Sequence, residues 1–162
     1  MSIPQIRTGI GYDIHPLQTN RPLMIGGVEI PYSKGLAGHS DADVLCHAIA
    51  DALLGAAGEG DLGRHFPDTD PKYKGVSSLR LLEKVCERLK AGRFVILHID
   101  SIIIAQAPRL MPYLDAMRAQ IAKTIGVEEG AVNIKAKTAE GLDSIGRGES
   151  IAAQAVCTLY RA

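Results

Sequence analysis

The segment Gly38-His39-Ser40-Asp41-Ala42-Asp43-Val44-Leu45-Cys46-His47-Ala48-Ile49-Ala50-Asp51 constrains the fold most, because it changes character halfway. Its first half is rich in residues that cap helices. Ser40 or Asp41 is expected to accept from the unpaired amides of a first turn. From Val44 onward, Val44, Leu45, Ala48, Ile49, Ala52 and Leu53 recur at helical spacing, so a helix running to about Ala57 must lay a face on a core. His47 falls off that arc, one turn after Asp43 and one turn before Asp51, and the three form a polar stripe. Two readings stand side by side: a capping cluster beside a half-buried histidine, or a site that uses these groups chemically.

A chain of 162 residues suits a single domain spanning 1–162, in which roughly 70% of the unfolded surface can be buried. Eighteen basic residues balance eighteen acidic ones, so the broad positive field that holds nucleic acid is missing and no nucleic-acid partner is expected. A local basic pocket for a small phosphorylated ligand fits the same balance. Cys46, Cys86 and Cys157 are odd in number, far apart and in apolar surroundings, which reads as reduced core thiols. No apolar run approaches the ~20 residues that span a bilayer, and the N-terminus lacks a signal-peptide pattern. A cytoplasmic protein without a membrane partner is the expectation.

Residues 6–14 read as a glycine-bearing strand ending in Asp13-Ile14-His15-Pro16, which puts Asp13 and His15 on one face, roughly 7 Å apart. Leu23-Met24-Ile25 and Val28-Glu29-Ile30 flank Gly26-Gly27 as a hairpin. Residues 59–71 are too turn-rich for regular structure and read as a functional or a solvated loop. Val76 to Lys90 reads as an amphipathic packing helix with Leu79, Leu82, Val85, Cys86 and Leu89 inward. Phe94 to Ala105 fits a well-covered central strand. Pro108 is expected to start a helix that continues to about Ile125 and stops at Gly126. Val132 to Thr138 and Ile151 to Tyr160 are strands, separated by a glycine-rich loop from Gly141 to Gly148. The class is α+β: a mixed β-sheet with helices on one face. The uncovered face calls for an apolar partner, and another subunit is the economical answer.

Three constellations carry chemistry. Asp13, His15 and His47 offer one carboxylate and two imidazoles, a three-ligand set for zinc with a fourth position open. Asp51 is placed to accept the second ring proton of His47. His65 and His98 lack such partners and read as structural or exposed. The Ala105–Arg109 turn, Lys137-Thr138-Ala139-Glu140 and Arg147 suit a diphosphate, with Glu140 holding a divalent cation such as magnesium, or read as edge charges and a helix cap. The aspartates between Asp61 and Asp70 could accept from polyol hydroxyls.

Taken together, Gly-Tyr-Asp-Ile-His (11–15), Ile-Gly-Gly-Val-Glu-Ile-Pro (25–31), His-Ser-Asp-Ala-Asp-Val (39–44), His-Ala-Ile-Ala-Asp-Ala-Leu-Leu-Gly-Ala-Ala (47–57), Gly-Asp-Leu-Gly (60–63), Phe-Pro-Asp-Thr-Asp (66–70), Ala-Gln-Ala-Pro (105–108) and Gly-Arg-Gly-Glu (146–149) resemble the 2-C-methyl-D-erythritol 2,4-cyclodiphosphate synthase family, essentially end to end. The resemblance implies zinc on Asp13, His15 and His47, and a second divalent ion, magnesium or manganese, on Glu140. It implies that His39 and Thr138 orient the diphosphate. Ala105, Ala107, Pro108, Arg109 and Leu110, with Lys137, Thr138, Ala139 and Glu140, would hold the cytidine phosphate moiety. Asp61, Gly63, Asp68 and Asp70 would hold the methylerythritol hydroxyls, and Ser40, Phe66 and Arg147 complete the implied substrate contacts. It further implies a homotrimer with sheets packed around a threefold axis and sites between adjacent subunits.

The implied reaction belongs to the non-mevalonate isoprenoid pathway. The 2-phosphate of 4-diphosphocytidyl-2-C-methyl-D-erythritol 2-phosphate attacks the β-phosphorus, closing a cyclic diphosphate and expelling CMP, a phosphorus-oxygen lyase activity. Family relatives often show Thr-Thr-Thr-Glu where this chain has Lys137-Thr138-Ala139-Glu140, and an aromatic where Ser144 stands. A zinc-dependent phosphohydrolase and a non-catalytic nucleotide-binding trimer are the competing classes.

Overall fold

The computed structural model describes residues 5–162; the expectation about the N-terminus begins on residues 1–4, outside the described ones. Five strands form the main sheet: β1 (Gln5–Thr19), β4 (Lys34–Leu36), β5 (Phe94–Ile104), β6 (Val132–Lys137) and β7 (Ser150–Arg161), in the order β4-β1-β7-β5-β6. The Gly26-Gly27 hairpin forms as expected, pairing β2 (Leu23–Ile25) with β3 (Val28–Ile30) as a separate ribbon. Only β5 and β6 run parallel to each other as neighbours; the other pairs are antiparallel. The sheet is therefore mixed.

The strand order moves the centre. The β-branched run in β5 is an interior strand, as expected, paired with β7 on one side and β6 on the other, while β7, the closing strand, takes the middle position. Ile99 and Ile103 are fully buried while Ile102 and Ile104 are half-exposed, so one face of β5 is covered, not both. A register shift between Ile96 and His98 switches which residues face inward: Phe94 before it, Ile99, Ser101 and Ile103 after it.

The first helix, α1 (Val44–Ala57), lies on β1 and β7. Its burial is wider than a single arc, since Cys46, Ala50, Leu54 and Ala56 are covered as well. Only the stripe of His47, Asp51 and Gly55, with Ala57, escapes full burial. The N-cap is Asp43, not Ser40 or Asp41. Its side chain accepts from Cys46 N at 3.1 Å and also from Gly26 N at 2.8 Å and Gly27 N at 2.7 Å. Asp43 is completely buried: burial pushes its carboxyl up, and the three amides oppose that rise. One carboxylate thus pins the hairpin turn, where both glycines have positive φ, to the start of α1.

The loop from residue 59 contains two short helices, α2 (Leu62–His65) and a single turn at Pro71–Tyr73. Asp51 does not reach His47; it accepts from Leu62 N at 2.7 Å and holds this segment on α1. The packing helix is α3 (Ser78–Ala91), as the periodicity indicates. Pro108 does not start a helix. Ala107-Pro108 is a cis peptide in a turn, and α4 (Leu114–Ile125) begins after a short helical turn at Met111–Tyr113. Gly126 ends it in the left-handed conformation, as expected. The glycine-rich loop folds a one-turn helix, α5 (Asp143–Gly146). All three cysteines are buried and free; burial pushes the Cys86 thiol up to about 12 and Cys157 to about 11.

Helices cover one face. The other exposes Ile6, Ile10, Tyr12 and Ile14 of β1, Val95 and Leu97 of β5, and Val156 of β7. On the covered face, Gly9 and Gly11 take the positions opposite α1. A Cβ on Gly11 would sit 1.9 Å from Ala48 O, and one on Gly9 2.0 Å from Ala52 O. Both obstructions are backbone and cannot rotate away. Gly11→Ala is therefore expected to destabilise by about 3 kcal/mol or more in denaturant titration, whereas Gly130→Ala, with open space around it, should shift stability by no more than ~1 kcal/mol.

Candidate metal centre and substrate cavity

Alternation along β1 sends the even residues to the uncovered face, while Asp13 and His15 follow Gly9 and Gly11 toward α1. β1 does not end at His15; it continues to Thr19 by pairing with β4. Because α1 rests directly on the glycines, His47 on its exposed stripe meets Asp13 and His15. Asp13 Oδ2 lies 2.8 Å from His15 Nε2 and 2.9 Å from His47 Nδ1, and the two ring nitrogens are 3.1 Å apart. Among the described residues this is the one cluster of three His, Cys, Asp or Glu groups with ligand atoms close enough to share an ion.

His15 Nδ1 lies 3.0 Å from Ala37 O, which can only accept, so Nδ1 carries a hydrogen and, in the neutral ring, Nε2 is the lone pair that faces Asp13 and His47. That lone pair, the Asp13 carboxylate and His47 Nδ1 converge, and three acceptors converge stably only around a cation. In a metal-free state a proton on His47 serves. Burial disfavours charge on that ring, but the hydrogen bond and charge of Asp13, with Asp43 and Asp41 behind, outweigh it and raise the His47 pKa. Burial likewise pushes the Asp13 carboxyl up, yet the hydrogen bonds and charges of His15 and His47 win and hold it well below the usual carboxylate range. A tetrahedral zinc site places ligands about 3.3 Å apart, a few tenths of an ångström wider than these distances. The donor set fits such an ion.

The cluster opens onto a cavity of about 250 Å³ lined by His15, Gly38, His39, Ser40, His47, Leu62, Phe66, Asp68, Tyr73 and Leu81. The structure thus brings His39, Ser40, Phe66 and Asp68 together with the histidines. His39 Nε2 faces Asp70 O at 3.1 Å, tying its loop to the Asp68–Asp70 turn. Asp61 and Asp70 are engaged locally: Asp61 caps α2 through Arg64 N, and Asp70 bonds Lys72 N and pairs with Lys72 Nζ at 2.9 Å. Gly63 sits within α2. His65 bonds Glu59 O, in keeping with its structural reading.

A second cavity, of about 220 Å³, is lined by Ala105, Gln106, Pro108, Arg109, Leu110, Met111, Ala136, Lys137 and Thr138. Two distant sequence segments meet there because β5 and β6 pair in parallel and end together at Ile104 and Lys137. Gln106 Oε1 accepts from Gly141 N at 3.2 Å and joins the two turns. Thr138 donates to Glu140 at 3.0 Å, and Glu140 stands at φ 52° before Gly141. Arg147 does not line this cavity; it pairs with Glu149 at 2.9 and 3.0 Å. Ala107 and Ala139 belong to the two turns without lining the space.

The register places the halves at one level. Asp13 pairs with Ala153, Ala153 with Ile103, and Ile103 with Ala136. Three strand spacings, about 14 Å, separate the metal cluster from the second cavity in one subunit. The two cavities share no lining residue.

Sequence reasoning missed several residues. Tyr73 and Leu81 line the first cavity, and Gln106 and Met111 the second. Ser78 falls in a helix whose spacing reads as packing, yet its hydroxyl is 2.9 Å from His47 Nε2. A serine at a helix start reads as a cap, so nothing local marked it.

Comparison with known proteins gives one answer. A 2-C-methyl-D-erythritol 2,4-cyclodiphosphate synthase from Desulforamulus reducens is 58% identical over 156 residues, covering 96% of this chain and 99% of the relative. One of the same name from Laribacter hongkongensis is 56% identical, with 95% of each chain covered. Among solved structures, the bifunctional IspDF from Campylobacter jejuni matches with a TM-score of 0.95 at 41% identity; it covers 99% of this chain, which spans 43% of that longer one. IspF from Plasmodium falciparum in complex with CDP matches with a TM-score of 0.85 at 30% identity and covers 99% of each chain. The YgbB family description matches residues 6–160. This chain belongs to the YgbB family, whose curated members are named as synthases that form a cyclodiphosphate.

Proposed function

We propose that this protein is a 2-C-methyl-D-erythritol 2,4-cyclodiphosphate synthase, converting 4-diphosphocytidyl-2-C-methyl-D-erythritol 2-phosphate to the cyclic diphosphate and CMP. The observation that carries the reading is the convergence of Asp13, His15 and His47 on the rim of the cavity holding His39, Ser40, Phe66 and Asp68. A hydrolase of simple phosphate esters has no evident use for the second, nucleotide-sized cavity.

The 2-phosphate is ionised at neutral pH and needs no strong base. The barrier is bringing two anions into line, which positioning and charge neutralisation lower. Zinc on Asp13, His15 and His47, and magnesium or manganese at Glu140, supply when bound the positive charge that phosphate oxygens require. His39, fixed through Asp70 O, and Thr138, fixed through Glu140, orient the diphosphate. Asp68 accepts from the erythritol hydroxyls, with Asp61, Gly63 and Asp70 shaping that wall. Arg109 and Lys137 face the phosphate end of the second cavity, and Ala105, Ala107, Pro108, Leu110 and Ala139 form the backbone turns around the nucleotide. Arg147 adds positive charge near the glycine-rich loop.

As the family resemblance implies, the complete site is shared between adjacent subunits; within one subunit the cluster and the second cavity lie about 14 Å apart and share no lining residue. The uncovered apolar face supplies the contact: a homotrimer packs it around a threefold axis. Such a protein works in the cytoplasm; among the described residues no helix is long and apolar enough to cross a membrane.

Phosphorus NMR of the reaction is expected to show the cyclic diphosphate with CMP; free phosphate would favour a hydrolase. His47→Ala should abolish zinc binding and turnover while leaving a folded oligomer, and Glu140→Gln should lower turnover on the order of 10²-fold with zinc content retained. Ile10→Lys, at a site 65% exposed in the single chain, should shift the oligomer toward smaller species in light scattering. Because the His47 pKa is raised, a proton competes with the metal from higher pH than at a free imidazole. Acidification through that raised value should weaken zinc binding by about tenfold per pH unit, measured by chelator competition from about pH 8 to about pH 5.

A further inference from the structure

We infer that Ser78, backed by Asp41, is a positioning residue that fixes the tautomer and ring orientation of His47; this rests on the metal-site reading above. His47 Nε2 stands 2.9 Å from Ser78 Oγ and 3.1 Å from Ser40 Oγ. Ser78 is 1% exposed, so no bulk water competes for its hydroxyl. That hydroxyl donates to Asp41 Oδ1, while Asp41 Oδ2 accepts the Ser78 backbone N–H at 3.1 Å. A serine hydroxyl has one proton. With that proton on Asp41, Ser78 Oγ faces His47 Nε2 with lone pairs only, so a hydrogen on Nε2 makes the 2.9 Å contact attractive. The Ser40 hydroxyl, which accepts from Ala42 N, has Ser78 Oγ at 3.4 Å to receive its own proton.

The consequence lands on the metal centre. An imidazole protonated at Nε2 presents Nδ1 as a lone pair, and Nδ1 is the atom 2.9 Å from Asp13 Oδ2 and 3.1 Å from His15 Nε2. Metal-binding histidines commonly give their other N–H to a carboxylate or carbonyl, which raises ligand basicity and locks the ring. His15 does so directly, through Ala37 O. His47 does so through a hydroxyl: the chain of donors runs from His47 to Ser78 to Asp41. Asp51, the carboxylate one turn along α1, is occupied by Leu62 N.

Asp41 has a second duty that explains why the arrangement is rigid. Ser77, the N-cap of α3, makes no side-chain cap bond. Asp41 supplies it from outside, through the Ser78 amide, and also accepts from Asp43 N at 3.2 Å. The carboxylate therefore ties the start of α3, the loop before α1 and the His47 ring into one unit.

Ser78→Ala removes the hydroxyl and keeps the amide that Asp41 caps. In the full-length protein, its zinc affinity, measured by competition with a chromophoric chelator, is expected to fall by about 10–100-fold, with an altered visible spectrum of the cobalt form. A parent protein that binds no zinc would overturn the metal reading as well; parent and Ser78→Ala binding zinc equally overturns the role of Ser78 alone. Ser78→Thr keeps the hydroxyl and should hold zinc near the parent affinity, and in the zinc-loaded parent the His47 Nε2–H should exchange with solvent more slowly than in Ser78→Ala by proton and nitrogen-15 NMR. Equal exchange in the two proteins, or a Ser78→Thr variant as weak as Ser78→Ala, overturns the inference.

Discussion

Everything at the candidate site depends on the distance between α1 and β1. Gly9 and Gly11 leave the strand surface bare, and the carbonyls of Ala52 and Ala48 occupy the space a Cβ would take. Helices resting on ordinary strand side chains stand further off. Here the helix comes close enough for a side chain one turn into α1 to touch two side chains of β1. The cluster of Asp13, His15 and His47 is a by-product of that contact, since Asp13 and His15 continue the same strand face that the glycines begin.

Two aspartates hold the geometry in place. Asp43 accepts three backbone amides from within the core and fixes where α1 begins relative to the hairpin. Asp41 does the same for α3 and reaches the far side of His47 through Ser78. Each spends a buried or half-buried charge on positioning rather than on contact with a ligand. Such charges are costly unless fully hydrogen-bonded, which both are. The order of residues in His39-Ser40-Asp41-Ala42-Asp43 therefore encodes alternate duties: cavity, ring contact, helix cap, left-handed turn at Ala42, helix cap.

Much of the site was legible. Asp13 and His15 share a face because strand side chains alternate, and His47 stands apart from the apolar positions because helices repeat every 3.6 residues. The family motifs added His39, Thr138 and Glu140 as expectations. The hairpin at Gly26-Gly27 and the end of α4 at Gly126 were equally readable from local chemistry. What misled was context. Asp51 sits one turn from His47 and reads as its partner, yet a loop amide claimed it first. Pro108 reads as a helix start, yet the chain turns there and α4 begins at Leu114. The isoleucine run reads as a well-covered central strand; it is interior, between β7 and β6, yet only one of its faces is covered.

Local periodicity and turn chemistry determined the long strands, the helices α1 and α3, the hairpin, the α+β class and the three metal-competent side chains, because those depend only on spacing along the chain. β4, α2, α5 and the start of α4 lay outside that reach. Tertiary structure decided strand order, which amide or ring each aspartate serves, and that the Ser78 hydroxyl reaches His47. Those outcomes turn on segments tens of residues apart competing for the same hydrogen bonds, and on how closely two backbones approach. It also decided that the Asp13-His15-His47 cluster and the second cavity occupy one level of the sheet while sharing no residue. Register across four strands sets that relation, and spacing within any one strand does not contain it.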